Sequence, residues 1–306
     1  MSLNGIILLD KKPGITSMAS DSFIKRLLQT KKVGHHGTLD PFATGLLPIF
    51  VGDALKVLRY SEDWDKSYLC EALFGAKTDT QDKDGTVTGG RLPDKEELRA
   101  LRETDYASIR EAFDQVSRIT EQMPPKYSAK KIDGRKAYEL AREGLDPELK
   151  PHGVKIYDLE IRSIKEGEDG IHVVFHTKCS KGTYIRSLCD EAGRITGFGA
   201  HAVMLRRTSV GPFRVEDALT EEQLSSLCDK GDLSFIKGRE WALYGMEKTE
   251  LTEDQRKDVS LGRKIEAVEG TSEGILYHAV YKGQTVAVLR RDGDIMRIDR
   301  MLLTNG

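Results

Sequence analysis

Apolar and polar positions along this chain fall into blocks that predict alternating strands and helices. Residues 5–10 (GIILLD) read as a strand, and Pro13-Gly14 turns the chain out of it. A helix then starts at Thr16 or Ser17, either of which can cap it, with Phe23, Ile24, Leu27 and Leu28 as its apolar stripe. Residues 34–56 follow as a loop of small and turn-forming residues, and 68–75 read as a strand running into the polar turn 78–85. Pro93 marks entry into a long polar helical segment reaching about Ile119. Residues 154–164 and 171–179 form an antiparallel pair around the glycines at 167 and 170, with Val173, Phe175, Thr177 and Cys179 alternating onto one face. In the helix expected at 183–195, Ile185, Leu188, Cys189, Ala192 and Ile195 make a core-facing stripe. Residues 200–210 read as a buried strand ending at Gly211-Pro212. The last stretch holds a short helix (252–258), strands at 277–281 and 285–290, and an Asp292-Gly293 turn, which divides the chain into residues 1–245 and a small β-rich unit, 246–306.

Composition adds limits. The 306 residues are 39% hydrophobic and 31% charged, enough for one large domain and a small one. No apolar run is long enough to span a bilayer and no leader is recognisable, so a cytoplasmic protein is expected. Four scattered cysteines form no C-x-x-C pair and imply neither a disulfide frame nor a zinc site. The net charge of -2 hides a segregated distribution: residues 178–214 carry seven basic and two acidic side chains, whereas 215–258 carry six and twelve. Such segregation suits a protein with one polyanion-binding face, and scattered surface charge would give the same total.

Two residues stand out chemically. Asp40 precedes Pro41, which biases it toward an extended conformation and points its oxygens outward; the dipeptide fits a simple turn and a ligand loop alike. Arg186 lies in the first turn of its helix, where a cation opposes the dipole unless an anion faces it or solvent screens it. His35, His36 and Asp40 lack the spacing of a metal site, so no metal is expected.

Five blocks then carry a resemblance. Residues 34–56 (GHHGTLDPFATGLLPIFVGDALK), Asp65-Lys66-Ser67-Tyr68, the 78–85 turn, 124–142 (PPKYSAKKIDGRKAYELAR), and 179–186 (CSKGTYIR) with 201–213 are similar, in order, to the signature segments of the TruB family of tRNA pseudouridine synthases. The carboxy-terminal unit resembles that family's PUA-like domain. This resemblance implies an α+β fold: a pseudouridine synthase catalytic domain with a mainly antiparallel mixed sheet flanked by helices, plus the small β-rich unit. It implies an isomerase without cofactor acting by base flipping on the T-loop uridine of tRNA, bound through the T-arm stem-loop, by a protein that is a monomer with no obligate protein partner. Asp40 would be the catalytic carboxylate, Arg186 its partner, Tyr68 a stacking face and acceptor for the C5 proton, and Leu205 an apolar wall. His35 would wedge into the vacated stack, and Asp82 and Tyr184 would bind substrate. Lys126, Lys130 and Lys131 would contact phosphates from a basic arm at about 124–152, aided by Arg135 and Lys136. Pro13 stands one position later than in the family's D-K-P pattern, which leaves the parts of Lys11 and Lys12 open. The rival reading is a tRNA-binding or RNA-folding protein without catalysis, which needs the basic face but not Asp40, Tyr68 and Arg186 together.

Overall fold

The computed structural model describes residues 3–128, 131–132, 134–136, 140, 143, 145 and 149–303. In chain order the first part comprises β1 (Gly5–Lys11), α1 (Ser17–Leu27), β2 (Val33–His35), β3 (Thr44–Val51), β4 (Lys66–Phe74), α2 (Lys95–Glu103), α3 (Ala107–Ser117), β5 (Ile156–Gly167), β6 (Gly170–Cys179), α4 (Ile185–Thr196), β7 (Ala200–Val210), β8 (Phe213–Arg214) and α5 (Glu221–Asp229). Eight strands make one sheet in the order β1-β3-β7-β4-β6-β5, with β2 beside β3 and β8 beside β7. Only the short β3–β7 contact is parallel, so the sheet is mixed and mainly antiparallel, as expected.

Both faces of the central strands are covered. On β1, Ile7 and Leu9 join the core under α1, α3 and α4, while Ile6 and Leu8 join a second core with Phe50, Trp64 and Phe213. That is why residues 5–10 show an unbroken apolar run instead of alternation. Phe113 of α3 packs on Phe175 of β6 with ring centroids 4.8 Å apart, fixing the helical layer to the sheet.

Two expectations are corrected. The segment read as a loop from 34 to 56 contains β3, buried almost throughout and paired with β1 from Gly5 opposite Val51 to Lys11 opposite Gly45. Gly45 and Pro48 disguised it, and burial on both faces erased the alternation. Pro48, which has no N–H, sits where β2 parts from β3, and its carbonyl accepts the His36 N–H at 2.9 Å. The helix expected to run to about Ile119 is two helices, broken where Asp105 and Tyr106 take φ values of 50° and 57°. The break lets Leu101 in α2 and Ile109, Phe113 and Val116 in α3 all reach the core.

Gly45 has φ +100°, and a Cβ there would stand 2.3 Å from the carbonyl oxygen of Arg207. Gly45→Ala is therefore expected to cost about 2–4 kcal/mol by prying β3 from β7. Urea unfolding checks this through a lowered midpoint at unchanged slope.

The carboxy-terminal part adds β9 (Lys248–Glu250), α6 (Glu253–Ser260), β10 (Ile265–Glu266), β11 (Leu276–Tyr281), β12 (Gln284–Asp292) and β13 (Ile295–Met301). Their five-stranded sheet, in the order β9-β11-β12-β13-β10, encloses a core of its own around Tyr277, Leu289 and Met296. Val288 and Leu302 instead enter the second core of the large sheet, docking this unit behind β1 and β3. Among the described residues no helix is long and apolar enough to cross a membrane.

Candidate active site

The segment between β2 and β3 is held at several points. Ala43 N–H donates to the Asp40 carbonyl at 3.1 Å, so Asp40-Pro41-Phe42-Ala43 is a turn with proline at its second position. Ser17, the first residue of α1, accepts the Leu39 N–H at 2.8 Å and donates to the Leu39 carbonyl at 3.1 Å. The fully buried Lys11 ammonium donates to the carbonyls of Ala43 (2.7 Å), Lys12 (3.0 Å) and Pro41 (3.2 Å). Lys11 and Ser17 thus clamp the turn from both sides, parts that sequence reasoning missed. The available signal was a charged residue ending an apolar strand.

The Asp40 carboxylate does not simply point outward. It turns into a cavity of about 640 Å³ whose walls include His35, Tyr68, Tyr184, Arg186 and Leu205. Arg186 Nε lies 2.9 Å from one Asp40 oxygen, although its N–H is not aligned on that oxygen, and Nη2 donates to the other at 3.4 Å. Arg186 is 2% exposed, so its place in the first turn of α4 is matched by anions and carbonyls rather than by water. Its Nη1 donates to the Thr80 carbonyl at 2.6 Å and to Asp82 at 3.2 Å, and its Nη2 to the Tyr127 carbonyl at 3.0 Å. One guanidinium therefore joins the Asp40 turn, the 78–85 turn and the start of the basic arm. Asp82 is buried and is itself held by the Thr80 hydroxyl (2.6 Å) and the Asp84 N–H (3.1 Å). Burial pushes the Asp40 carboxyl above the usual carboxylate range; Arg186 pulls it back and the charge of Asp82 adds to the rise.

Strand register supplies the facing wall. Leu205 and Arg207 of β7 lie opposite Cys70 and Tyr68 of β4. Tyr68 is buried, and desolvation pushes its hydroxyl up to about 12. Tyr184 precedes the first turn of α4, where its N–H donates to the Gln122 side chain at 2.7 Å and its ring meets His152 edge-on at 6.1 Å. His35 lines the cavity with Nδ1 2.8 Å from Asp21 and Nε2 3.2 Å from Thr38. His36 also borders the cavity but packs against Trp64 of the second core, where burial lowers its ring to about 4 and Nε2 lies 2.6 Å from the Ser61 carbonyl. The two histidines have separate hydrogen-bond partners, as neighbouring side chains on an extended segment do.

Lys126 is exposed, Lys131 and Lys136 face each other across a two-residue backbone pairing, and Arg135 bonds Glu143. Lys130 lies outside the described residues.

Residues 25–185 match the family model described as TruB family pseudouridylate synthase (N terminal domain), and residues 186–236 match that of the tRNA pseudouridylate synthase B C-terminal domain. The tRNA pseudouridine synthase B of Streptococcus gordonii is 36% identical over 302 residues, covering 98% of this chain and 100% of the relative. That of Francisella philomiragia is 37% identical over 259 residues, covering 85% and 82%. Among solved structures, a Cbf5-Nop10-Gar1 complex contains a chain of the same fold, with TM-score 0.71 at 24% identity, covering 97% of this chain and 84% of that one. Two family models that together cover residues 25–236 and a full-length match at this identity leave one assignment: the chain belongs to the TruB family of pseudouridylate synthases.

Proposed function

We propose that this tRNA pseudouridine synthase isomerises the T-loop uridine of tRNA, with Asp40 as the catalytic carboxylate. The observation that carries the reading is the Asp40–Arg186 pair inside a cavity walled by Tyr68 and Leu205. The ribose bond to N1 breaks, the freed uracil turns, C5 joins the ribose carbon, and the C5 proton is given up as N1 gains one. Nothing is oxidised or hydrolysed, so the demands are a carboxylate at the reacting sugar or base, and walls that retain the detached base. Tyr68 and Leu205 are such walls, one stacking and one apolar. Because the buried Tyr68 phenol is protonated at neutral pH, it takes the C5 proton only if its own proton leaves in the same step. His35, in the cavity wall, serves as the wedge that fills the stack after flipping, and Tyr184 and Asp82 hold the base side and the Arg186 side of the pocket. Lys126, Lys130 and Lys131 follow the phosphates. Residues 1–245 form the catalytic domain, and 246–306 are a PUA-like RNA-binding unit. The protein acts as a cytoplasmic monomer.

The raised pKa of Asp40 gives a pH signature. Asp40 must be ionised to act, so kcat/KM falls as pH drops through its folded pKa. The acid limb is expected above the ordinary aspartate value of about 4. A pH series on the full-length protein checks this, and a limb at or below the ordinary value contradicts it. The site on RNA is tested by carbodiimide treatment and primer extension on an unmodified tRNA transcript. A single new stop at the T-loop uridine is expected; a stop at another uridine would overturn the substrate assignment.

A further inference from the structure

Beside Asp40 the same cavity holds two buried cations that the reaction above does not use. Arg207 is 1% exposed and forms no ion pair among the described residues. Its Nε donates to the Leu46 carbonyl at 2.7 Å, while Nη2 has no aligned hydrogen-bond acceptor, with the Tyr68 hydroxyl beside the guanidinium. Lys66, 8% exposed, donates only to the Trp64 carbonyl at 2.8 Å among the described contacts. Both side chains reach the backbone of Gly37, three residues before Asp40: a Cβ there would stand 3.2 Å from Arg207 Nη1 and from Lys66 Cε. Gly37, Lys66 and Arg207 line the cavity together. Its other carboxylates are Asp40, committed to Arg186, and Glu62, exposed at the rim.

Two cations buried side by side repel each other and lose hydration, an arrangement that is unfavourable until an anion enters. The penalty is visible in Lys66, brought down to about 8 by burial and then by the Arg207 charge. His36, next to both, stays neutral, so the excess charge on this wall comes from the two cations. We propose that Arg207 and Lys66 form a phosphodiester subsite that grips a backbone phosphate flanking the flipped uridine and thereby seats its base against Asp40. An arginine fork matches two phosphate oxygens, and the lysine adds a point charge. This inference rests on the reading that the chain acts on the tRNA T-arm.

The test uses full-length protein and T-arm stem-loops in which single phosphates near the target uridine are replaced by neutral methylphosphonates. Wild type is expected to lose affinity about tenfold at one replacement. Arg207→Gln and Lys66→Gln should each bind the unmodified stem-loop about 10–100-fold more weakly, with the salt slope reduced by about 0.7 per lost contact, and should lose little more at that same replacement. Independent, additive losses would overturn the proposal, as would a wild-type protein insensitive to every replacement near the uridine, a result that needs no variant to fold. If Arg207→Gln binds RNA like wild type but turns it over slowly in a single-turnover assay, the charge serves the detached uracil anion and the phosphate subsite is wrong. Wild type that isomerises the T-loop yet shows no such coupling removes only this inference. Wild type that does not isomerise it removes the underlying reading.

Discussion

Asp40→Asn is expected to abolish pseudouridine formation, with a loss of about 10⁴-fold or more under single-turnover conditions, and to leave the fold intact. The amide keeps the shape of the turn, whose anchors are the Asp40 main chain, Lys11 and Ser17 rather than the carboxylate. It removes the charge that the chemistry requires. Its effect on stability follows from the sign of the pKa shift. Burial raises the folded pKa of Asp40 above its unfolded value, so ionisation is harder in the folded state. The cost is absent below the unfolded pKa, grows between the two values and is full above the folded one. Asparagine escapes that cost, and Arg186 keeps Asp82, Thr80 and Tyr127 as partners. The variant should therefore melt at or above the wild-type temperature at neutral pH and still bind tRNA. Thermal unfolding and a binding titration beside the rate assay check all three; residual turnover near wild type would contradict the role of Asp40.

Arg186→Met should be damaging in both respects. The substitution removes the cation that stands between Asp40 and Asp82, and with it three nitrogens that tie separate segments together. Breaking a buried pair from one side costs about 3–5 kcal/mol, which urea unfolding can read as a lowered midpoint. The rate should fall by at least 10²-fold, because Asp40 loses its aim and is harder to ionise. Arg186→Lys sharpens the test. It keeps the charge but not the fork, so one ammonium cannot serve Asp40, Asp82 and two carbonyls together. Partial stability with most activity still missing is the expected result, and its acid limb should move to higher pH than wild type. An Arg186→Met protein as stable and as active as wild type would refute the network.

How far these features could be read in advance depended on whether their cause was local. The strand at Ala200–Val210 coincides with its expected bounds, and α1 starts after Thr16, whose side chain accepts the Ala19 N–H at 3.1 Å, because caps and periodicity lie within a few residues of what they determine. The unusual position of Arg186 was also a local conflict, a cation at the wrong end of a helix, and an anion does face it. The β3 strand was hidden because its two covered faces come from segments far away in the chain. Arg207 looked like one basic residue in an LRR triplet. What sets it apart is its register opposite Tyr68 and its approach to Gly37, pairings that only the closed sheet creates. Lys11 was similarly undetermined, since two of its three carbonyl partners, Pro41 and Ala43, lie about thirty positions further on.

Tritium release from tRNA transcribed with 5-tritiated uridine tests most directly whether this chain isomerises the T-loop uridine through Asp40. Wild type is expected to release the tritium of one uridine per tRNA, a transcript with cytidine at that position to release none, and Asp40→Asn to release none while still binding. Binding without release by wild type would contradict the account and favour a non-catalytic tRNA-binding protein. Release from the cytidine transcript would show that the uridine lies elsewhere.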